Sequence, residues 1–210
     1  MGKDDSLIMI VRKQDLFQGN LFQGFSAHHV QDYESRILQN YGFMTRKFAE
    51  DDPNYKQPIA YSMIVNPNTE QVFAFQRSQQ YKNYPEKRLQ GKWSWGVGGH
   101  IEKTDSKNAN PIKDSMSREI NEEVKIYGKF DPFVLGYIND DSNKVGEVHF
   151  GILYLIETDA RKIQPKDPEI AEGRLRTIDE LEKICASEEF KVESWSRIAL
   201  NPLRHYLKNL

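Results

Sequence analysis

Alternating apolar and polar positions predict a β-hairpin in the first half of the chain. Residues 58–65 (PIAYSMIV) are predicted as one strand and residues 71–77 (QVFAFQR) as its partner, with NPNT between them as the turn. A strand at 147–156 (EVHFGILYLI) alternates in its first half and is almost continuously apolar afterwards, which indicates burial on both faces. Shorter apolar runs predict two more strands, at 7–11 and 133–138.

Apolar residues at helical spacing predict a helix over residues 110–127. Ile112, Met116, Ile120 and Val124 recur every four residues and would form one packed face. Asn110 is a suitable N-cap with Pro111 after it, and Gly128 offers a stop. Further helices are expected at 27–41, after a Thr177–Glu180 capping box, and at 192–207, where Pro202 should kink or split the helix.

The composition is that of a globular chain of 210 residues with 38% hydrophobic residues and a formal net charge of −2. This charge gives no support for a nucleic-acid surface held by bulk positive charge. No apolar run is long enough to span a membrane, and the N-terminus does not have the pattern of a signal peptide. The single cysteine, Cys185, fits a reducing cytoplasm and is interpreted as structural.

The helix over 110–127 also carries three carboxylates on a second face. Glu119, Glu122 and Glu123 stand at i, i+3 and i+4, a spacing at which like charges repel by roughly 0.2–0.5 kcal/mol per pair. A bound divalent cation would turn this repulsion into attraction. Carboxylate oxygens are the ligands that Mg²⁺ and Mn²⁺ prefer.

A glycine-rich turn followed by this helix resembles the signature of the Nudix (MutT-like) hydrolases. Gly98-Gly99, an acid at Asp105 and the sequence Arg118-Glu119-Ile120-Asn121-Glu122-Glu123 match the family pattern. The spacer at 106–117 is twelve residues long where the family usually has seven, and Asp114 competes with Asp105 as the partner of Arg118. At the end of the pattern Lys125-Ile126 replaces a variable residue and Gly, so the helix is expected to continue to Gly128.

The resemblance implies an α/β fold, a Nudix-type α/β/α sandwich with a mixed β-sheet. It implies that Glu119, Glu122 and Glu123 hold Mg²⁺ or Mn²⁺ together with the backbone carbonyl of Gly98. It also implies that Arg118 orients a glutamate by a charge-assisted bond. The expected reaction is hydrolysis of the diphosphate bond in a nucleoside diphosphate linked to another moiety.

Four residues outside the helix are candidates for binding the substrate. Arg77 ends the predicted hairpin and could steady a diphosphate, and His100 directly follows the glycine pair. Glu147 and His149 would share one face of the predicted strand at 147–156 and point toward the cleft. Glu147 is also a candidate for the extra acid that family members often supply, and Glu169 and Glu172 are alternatives.

Residues 1–57 are interpreted as an N-terminal extension, and residues 58–210 as a Nudix domain with C-terminal helices. The extension could add to the sheet, build a dimer interface or cover the substrate pocket. The loop 78–92 carries Lys82, Lys87, Arg88 and Lys92, which either form a solvated loop or a basic flap over an anionic substrate. Trp93 and Trp95 could stack on a base or pack in the core.

Two other functions share this pattern. An isoprenoid diphosphate isomerase would use a cysteine upstream of the motif, whereas Cys185 lies downstream. A non-catalytic Nudix module that senses a nucleotide or binds a partner usually has a damaged glutamate cluster, whereas this one is intact. The expected partner is therefore a small nucleotide-like diphosphate, with a homodimer as a further expectation.

Overall fold

A computed structural model describes residues 3–79, 89–106 and 108–209. Its strands are β1 Leu7–Arg12, β2 Gly24–Ala27, β3 Gly42–Thr45, β4 Tyr55–Asn66, β5 Gln71–Arg77, β6 Trp93–Ser94, β7 Val124–Ile126, β8 Asp131–Asn139, β9 His149–Glu157, β10 Ile163–Pro165 and β11 Ile170–Thr177. Its α-helices are α1 Lys13–Phe17, α2 Tyr33–Asn40, α3 Arg46–Ala49, α4 Pro111–Glu123, α5 Lys144–Val148, α6 Ile178–Ala186 and α7 Ser194–Lys208.

The chain divides into two compact units, and β4, β8, β9 and α4 each contribute residues to both. The first unit comprises Met1–Tyr61, Gly98–Arg118 and Val134–Tyr154, and the second comprises Ser62–Val97, Glu119–Phe133 and Leu155–Leu210. In the large sheet the strands follow the order β11-β5-β4-β9-β8-β2.

The core of the first unit is rich in aromatic side chains. Phe17, Tyr33, Tyr137 and Phe150 are almost completely buried, and their ring centroids lie 5.1–6.1 Å apart in mostly edge-to-face pairs. Such pairs add about 0.5–1.5 kcal/mol each beyond the area that they bury. This core also buries Ile112 and Met116, the first half of the apolar face predicted for α4.

The N-terminal extension adds strands to the sheet of the first unit. Strand β1 pairs with β4 through Val11 and Arg12, and β2 pairs antiparallel with β8 over Gly24–Ala27. Of the three roles that the sequence left open, the described residues show that the extension adds to the sheet.

The second unit is built around β5. This strand pairs antiparallel with β4, β6 and β11, and Phe73 and Phe75 lie fully buried on it. Ile120 and Val124 pack in the same core and complete the apolar face of α4. The predicted hairpin is confirmed, with β5 matching the predicted bounds and β4 running longer than predicted.

Three predicted elements need correction. Helix α4 ends at Glu123 rather than Gly128, because Val124–Ile126 pairs antiparallel with β10. The helix predicted over 27–41 is confined to Tyr33–Asn40. The strand predicted from Glu147 begins only at His149, because Asn143 caps the short helix α5 by accepting hydrogen bonds from the amides of Val145 and Gly146.

The two predicted N-caps are confirmed. The Asn110 side chain accepts hydrogen bonds from the amides of Ile112 and Lys113 at 3.0 and 3.1 Å. Thr177 and Glu180 form the predicted capping box of α6. Pro202 lies inside α7 without splitting it.

Candidate active site

The arginine of the motif is anchored in the first unit by Asp105. Arg118 donates from Nε to Asp105 Oδ1 at 2.8 Å and from Nη2 to Asp105 Oδ2 at 2.9 Å. Its Nη2 also donates to the backbone oxygen of His100 at 3.1 Å. A two-pronged contact of this kind fixes the guanidinium in orientation as well as in position.

Asp105 is itself held by the backbone. It is 5% exposed, and Oδ2 accepts from the amide of Glu102 at 2.8 Å. The competing acid, Asp114, instead accepts two hydrogen bonds from Asn108, from its amide at 3.0 Å and its side-chain nitrogen at 2.9 Å. Asp105 therefore pairs with Arg118, while Asp114 ties down the enlarged loop.

Gly98 occupies a position that only glycine fits. A Cβ placed on it would lie 2.3 Å from the backbone oxygen of Ala60, closer than any real Cβ contact. The requirement is close approach to β4, because Gly98 is not among the glycines with positive φ. Two residues on, His100 forms an isolated antiparallel bridge with Ile59, which fixes the direction of the turn.

The three glutamates of α4 differ in exposure. Glu122 is exposed, Glu119 is half-buried, and Glu123 is 8% exposed. Burial raises the pKa of Glu123 from 4.5 to about 8; Arg77 opposes this shift, and the charges of Glu119, Asp167 and Glu169 add to it. A buried carboxylate with a pKa raised this far is a candidate functional group.

The turn between β10 and β11 brings further acids to the end of α4. The backbone oxygen of Glu123 accepts from the amides of Lys166 and Asp167 at 2.8 and 3.3 Å. The amide of Glu169 donates to Asp167 Oδ1 at 2.7 Å, and both acids act on the charge of Glu123. Glu172 is exposed on β11 and forms an ion pair with Arg176 at 3.8 Å. Of these two alternatives, Glu169 is the one that the fold brings to Glu123.

The second unit also holds Arg77 at the end of β5. Arg77 Nε donates to Glu193 Oε1 at 2.8 Å, and Glu193 Oε2 accepts from Ser94 Oγ at 3.0 Å. Arg77 lowers the pKa of Glu123, so its positive charge acts on the acid cluster. The ion pair with Glu193 neutralises part of the positive charge of Arg77, which would otherwise attract a bound diphosphate.

His100 and His149 are brought together in the first unit. Their Nε2 atoms lie 3.1 Å apart, and Glu50 Oε1 lies 3.8 Å from His100 Nε2. Burial lowers the pKa of His149 below its ordinary value of 6.5. Glu147 is half-buried on α5 and does not share a strand face with His149, which corrects that prediction.

Sequence reasoning missed a buried lysine in this unit. Lys56 is fully buried, and its Nζ donates to Asp141 Oδ1 and to the backbone oxygen of Gly146, both at 2.6 Å. Burial lowers the pKa of Lys56 from 10.5 to about 8. No sequence pattern indicated it, because Lys56 precedes the strand predicted at 58–65 and its partners are 85 and 90 positions away.

Trp93 and Trp95 are core residues. They are 3% and 1% exposed, and Trp93 packs against Phe190 and under the guanidinium of Arg176, which lies 4.6 Å from its ring centroid. These contacts favour the packing interpretation over base stacking. Lys82, Lys87 and Arg88 of the predicted basic flap lie outside the described residues.

The acids around Glu123, which are Glu119, Asp167 and Glu169, make this position suitable for a divalent cation. Glu123 Oε2 is buried and has no hydrogen-bond partner in the described part of the chain. A buried polar atom without a partner costs roughly 1–3 kcal/mol, and more when it is charged. A cation held by carboxylate oxygens would supply the missing interaction and would keep Glu123 ionised.

Known proteins resemble the chain over nearly its whole length. The NUDIX domain family matches residues 56–196. Protein YmaB of Bacillus subtilis (strain 168) is 32% identical over 212 residues, which covers 97% of this chain and all of that protein. The crystal structure of Tm1382, a protein assigned to the Nudix hydrolases, is 26% identical in sequence, with a TM-score of 0.76. The match covers 97% of this chain and all of the Tm1382 chain.

A more distant structure supports the fold alone. The NUDIX domain of Shewanella oneidensis NrtR, crystallised with ADP ribose, is 13% identical with a TM-score of 0.53, and the match covers 72% of this chain and 88% of that one.

The chain belongs to the Nudix family and is a Nudix-type hydrolase. The predicted fold, an α/β Nudix sandwich with a large mixed sheet and helices, is confirmed. Nudix enzymes use divalent metal ions, and Glu50, His100 and His149 form a further cluster that could hold one. Within residues 3–79, 89–106 and 108–209, no helix has the length and apolarity needed to cross a membrane.

Proposed function

We propose that this Nudix hydrolase cleaves the diphosphate bond of a nucleoside diphosphate linked to another moiety, with Mg²⁺ or Mn²⁺ as the cation. The observation that carries the proposal is Glu123: a buried carboxylate with a raised pKa, one oxygen without a partner in the described residues, and further acids beside it. Such an arrangement is costly unless a cation binds there. In a nucleotide substrate the diphosphate would meet that cation.

The residues of the chain would divide the work in the following way. Glu119, Glu122 and Glu123 would hold the cation, which would polarise a phosphoryl oxygen and lower the pKa of bound water. Asp105 locks Arg118, so that Arg118 acts by positioning neighbouring groups. Glu169, whose charge acts on Glu123, is the acid outside the helix that we assign to take the proton of the attacking water.

Other expectations stay predictions. The carbonyl of Gly98 as a cation ligand, and Arg77, His100, Glu147 and His149 as substrate contacts, follow from the resemblance or from sequence position. Among the relatives, the NrtR domain was crystallised with ADP ribose, which supports including dinucleotide-like diphosphates among the substrates to test. A homodimer and a cytoplasmic location are likewise part of the proposal.

The test is phosphate release, after coupling to a phosphatase, from ADP ribose, nucleotide sugars, dinucleoside polyphosphates, NADH, CoA and nucleoside triphosphates. Wild-type protein with Mg²⁺ or Mn²⁺ should release phosphate from at least one linked nucleoside diphosphate. Glu123→Gln should lower kcat by roughly 10²–10³-fold, the size of effect that follows the loss of a key charge-stabilising group. Glu188→Gln, an exposed acid of the same unit, is the matched control and should keep full activity.

Two results would contradict the proposal. Equal activity in Glu123→Gln and wild type would remove Glu123 from the site. Silence of the wild type on the whole panel with both metals would favour the alternative, a module that senses a nucleotide without cleaving it.

A further inference from the structure

Among the described residues, Glu50, His100 and His149 bring three metal-type ligand atoms within 4.8 Å of one another, and all three residues belong to the first unit. We propose that Glu50, His100 and His149 form a second metal site that takes a zinc-class transition-metal ion. The proposal does not depend on the hydrolase activity, because it uses none of the glutamates of α4 and a different ligand chemistry. Imidazole nitrogens suit Zn²⁺ and its neighbours, whereas Mg²⁺ prefers oxygen.

The distances match a tetrahedral ion. Two ligands that are each about 2.0–2.1 Å from zinc lie about 3.3 Å from one another in tetrahedral geometry. The two Nε2 atoms are 3.1 Å apart, His100 Nε2 and Glu50 Oε1 are 3.8 Å apart, and all three ligand atoms lie within 4.8 Å of one another. Small rotations of the side chains would therefore complete the coordination.

The ligand atoms are already oriented by outer contacts. His149 Nδ1 lies 2.7 Å from the backbone oxygen of Val145, which can only accept, so in neutral His149 this nitrogen carries the proton. Its Nε2 then presents a lone pair to His100 and Glu50. Glu50 Oε1 accepts from Arg46 Nε at 3.3 Å. Metal-binding histidines and carboxylates are typically held by outer hydrogen bonds of this kind.

A fourth ligand-type atom, an amide oxygen, lies beside the cluster. Gln57 is fully buried, and its Oε1 lies 2.8 Å from His100 Nε2. Its amide nitrogen is buried without a hydrogen-bond partner in the described ranges. Gln57 Oε1 or a water could occupy the remaining position of a tetrahedral ion.

The site is sheltered but can be entered. His149 is 8% exposed, while the side chains of His100 and Glu50 are 15% and 27% exposed. The ligands come from the end of α3, the glycine-rich turn and the start of β9, which are far apart in sequence. An ion would therefore link the N-terminal extension to the motif turn and strengthen the first unit.

Ion pairs partly neutralise the positive charge near the cluster. The two neighbouring cations, Arg46 and Lys56, are already paired, with Glu50 and Asp141 respectively. The competing interpretation is a hydrogen-bonded cluster that binds no metal, and the experiment below separates the two.

The experiment is a titration of EDTA-stripped, full-length protein with Co²⁺ in excess Mg²⁺, so that Mg²⁺ fills the carboxylate site. Four- or five-coordinate Co²⁺ with nitrogen ligands gives strong visible absorption, whereas octahedral Co²⁺ with oxygen ligands absorbs weakly. Wild-type protein should show the strong band with one equivalent of Co²⁺. One equivalent of Zn²⁺ should remove the band and raise the Tm.

The variants decide which residues bind. His149→Gln and Glu50→Gln should each weaken Co²⁺ binding at least about tenfold, since even the loss of an outer-shell partner costs this much. His29→Gln, an exposed histidine in the same unit, is the matched control and should keep the band, as should Glu123→Gln. Circular dichroism of the metal-free variants checks folding. If His149→Gln is unfolded, Glu50→Gln, at the most exposed ligand, tests the site instead.

The proposal is overturned if wild-type protein gives no strong band under these conditions. It is equally overturned if folded Glu50→Gln and His149→Gln both bind Co²⁺ as tightly as wild type, because the metal would then sit on other residues.

Discussion

Two buried carboxylates of the motif, one in each unit, are treated differently by the fold. Asp105 is 5% exposed and receives two hydrogen bonds from Arg118 and one from the backbone. Glu123 is 8% exposed, and its Oε2 has no partner in the described part of the molecule. A satisfied buried charge supports the structure, whereas an unsatisfied one indicates a ligand that the chain itself does not supply.

The largest effect on stability is expected at the satisfied carboxylate. Asp105→Asn should lower the free energy of unfolding by about 2–4 kcal/mol, because Arg118 would lose its charged partner in a partly buried position. Urea unfolding at pH 7 measures this. Asp114→Asn is the matched control and should cost less than about 1 kcal/mol, since among the described residues the Asp114 side chain accepts hydrogen bonds from Asn108 alone.

A loss of equal size in both variants would mean that Asp105 has no special role. That result would contradict the claim that Asp105 stabilises the fold while Glu123 binds a ligand.

An effect of similar size, with a distinctive pH dependence, is expected at Glu123. Its pKa is raised in the folded protein from 4.5 to about 8, so between these values the folded state holds a proton that the unfolded state has lost. The metal-free protein should therefore lose stability as pH rises from about 4.5 to about 8, by on the order of a few kcal/mol. Urea unfolding at several pH values in EDTA measures the slope.

Glu123→Gln should flatten this slope, because glutamine does not titrate, and millimolar Mg²⁺ should flatten it in the wild type by compensating the ionised carboxylate. A slope that is identical in wild type and Glu123→Gln would show that another group carries the pH dependence.

The smallest effect is expected at the N-terminus of α4, the helix that carries Arg118 and Glu123. Asn110→Ala should lower the free energy of unfolding by about 1 kcal/mol, because the amides of Ile112 and Lys113 lose their acceptor. Thermal or urea unfolding measures this, and Asn110→Ser, which restores a capping oxygen, should recover most of the loss. No recovery in Asn110→Ser would argue against the cap as the cause.

Local patterns explain which parts of the fold could be predicted from sequence. The hairpin of β4 and β5 and the cap at Asn110 depend on residues that are neighbours in the chain, so periodicity and turn chemistry were sufficient. The predicted end of α4 was wrong, because the sequence Val124–Ile126 is apolar enough to form either a helix or a strand. Its pairing with β10, nearly forty residues later, decided the outcome.

The candidate site divides in the same way. The glutamates of α4 and the Asp105–Arg118 pair follow from motif spacing, although only the structure distinguishes Asp105 from Asp114. Glu50 and Lys56 could not be found, because their partners come from distant segments and a lone acid or lysine in sequence indicates only a surface.

Binding of Mn²⁺, measured by the loss of its free electron paramagnetic resonance signal, tests most directly whether Glu123 holds the catalytic cation. Wild type and His149→Gln should bind Mn²⁺ alike, and Glu123→Gln should bind it at least about tenfold more weakly, because a carboxylate that contacts the cation directly is lost. Unchanged binding by a folded Glu123→Gln would contradict the central claim and would place the cation elsewhere.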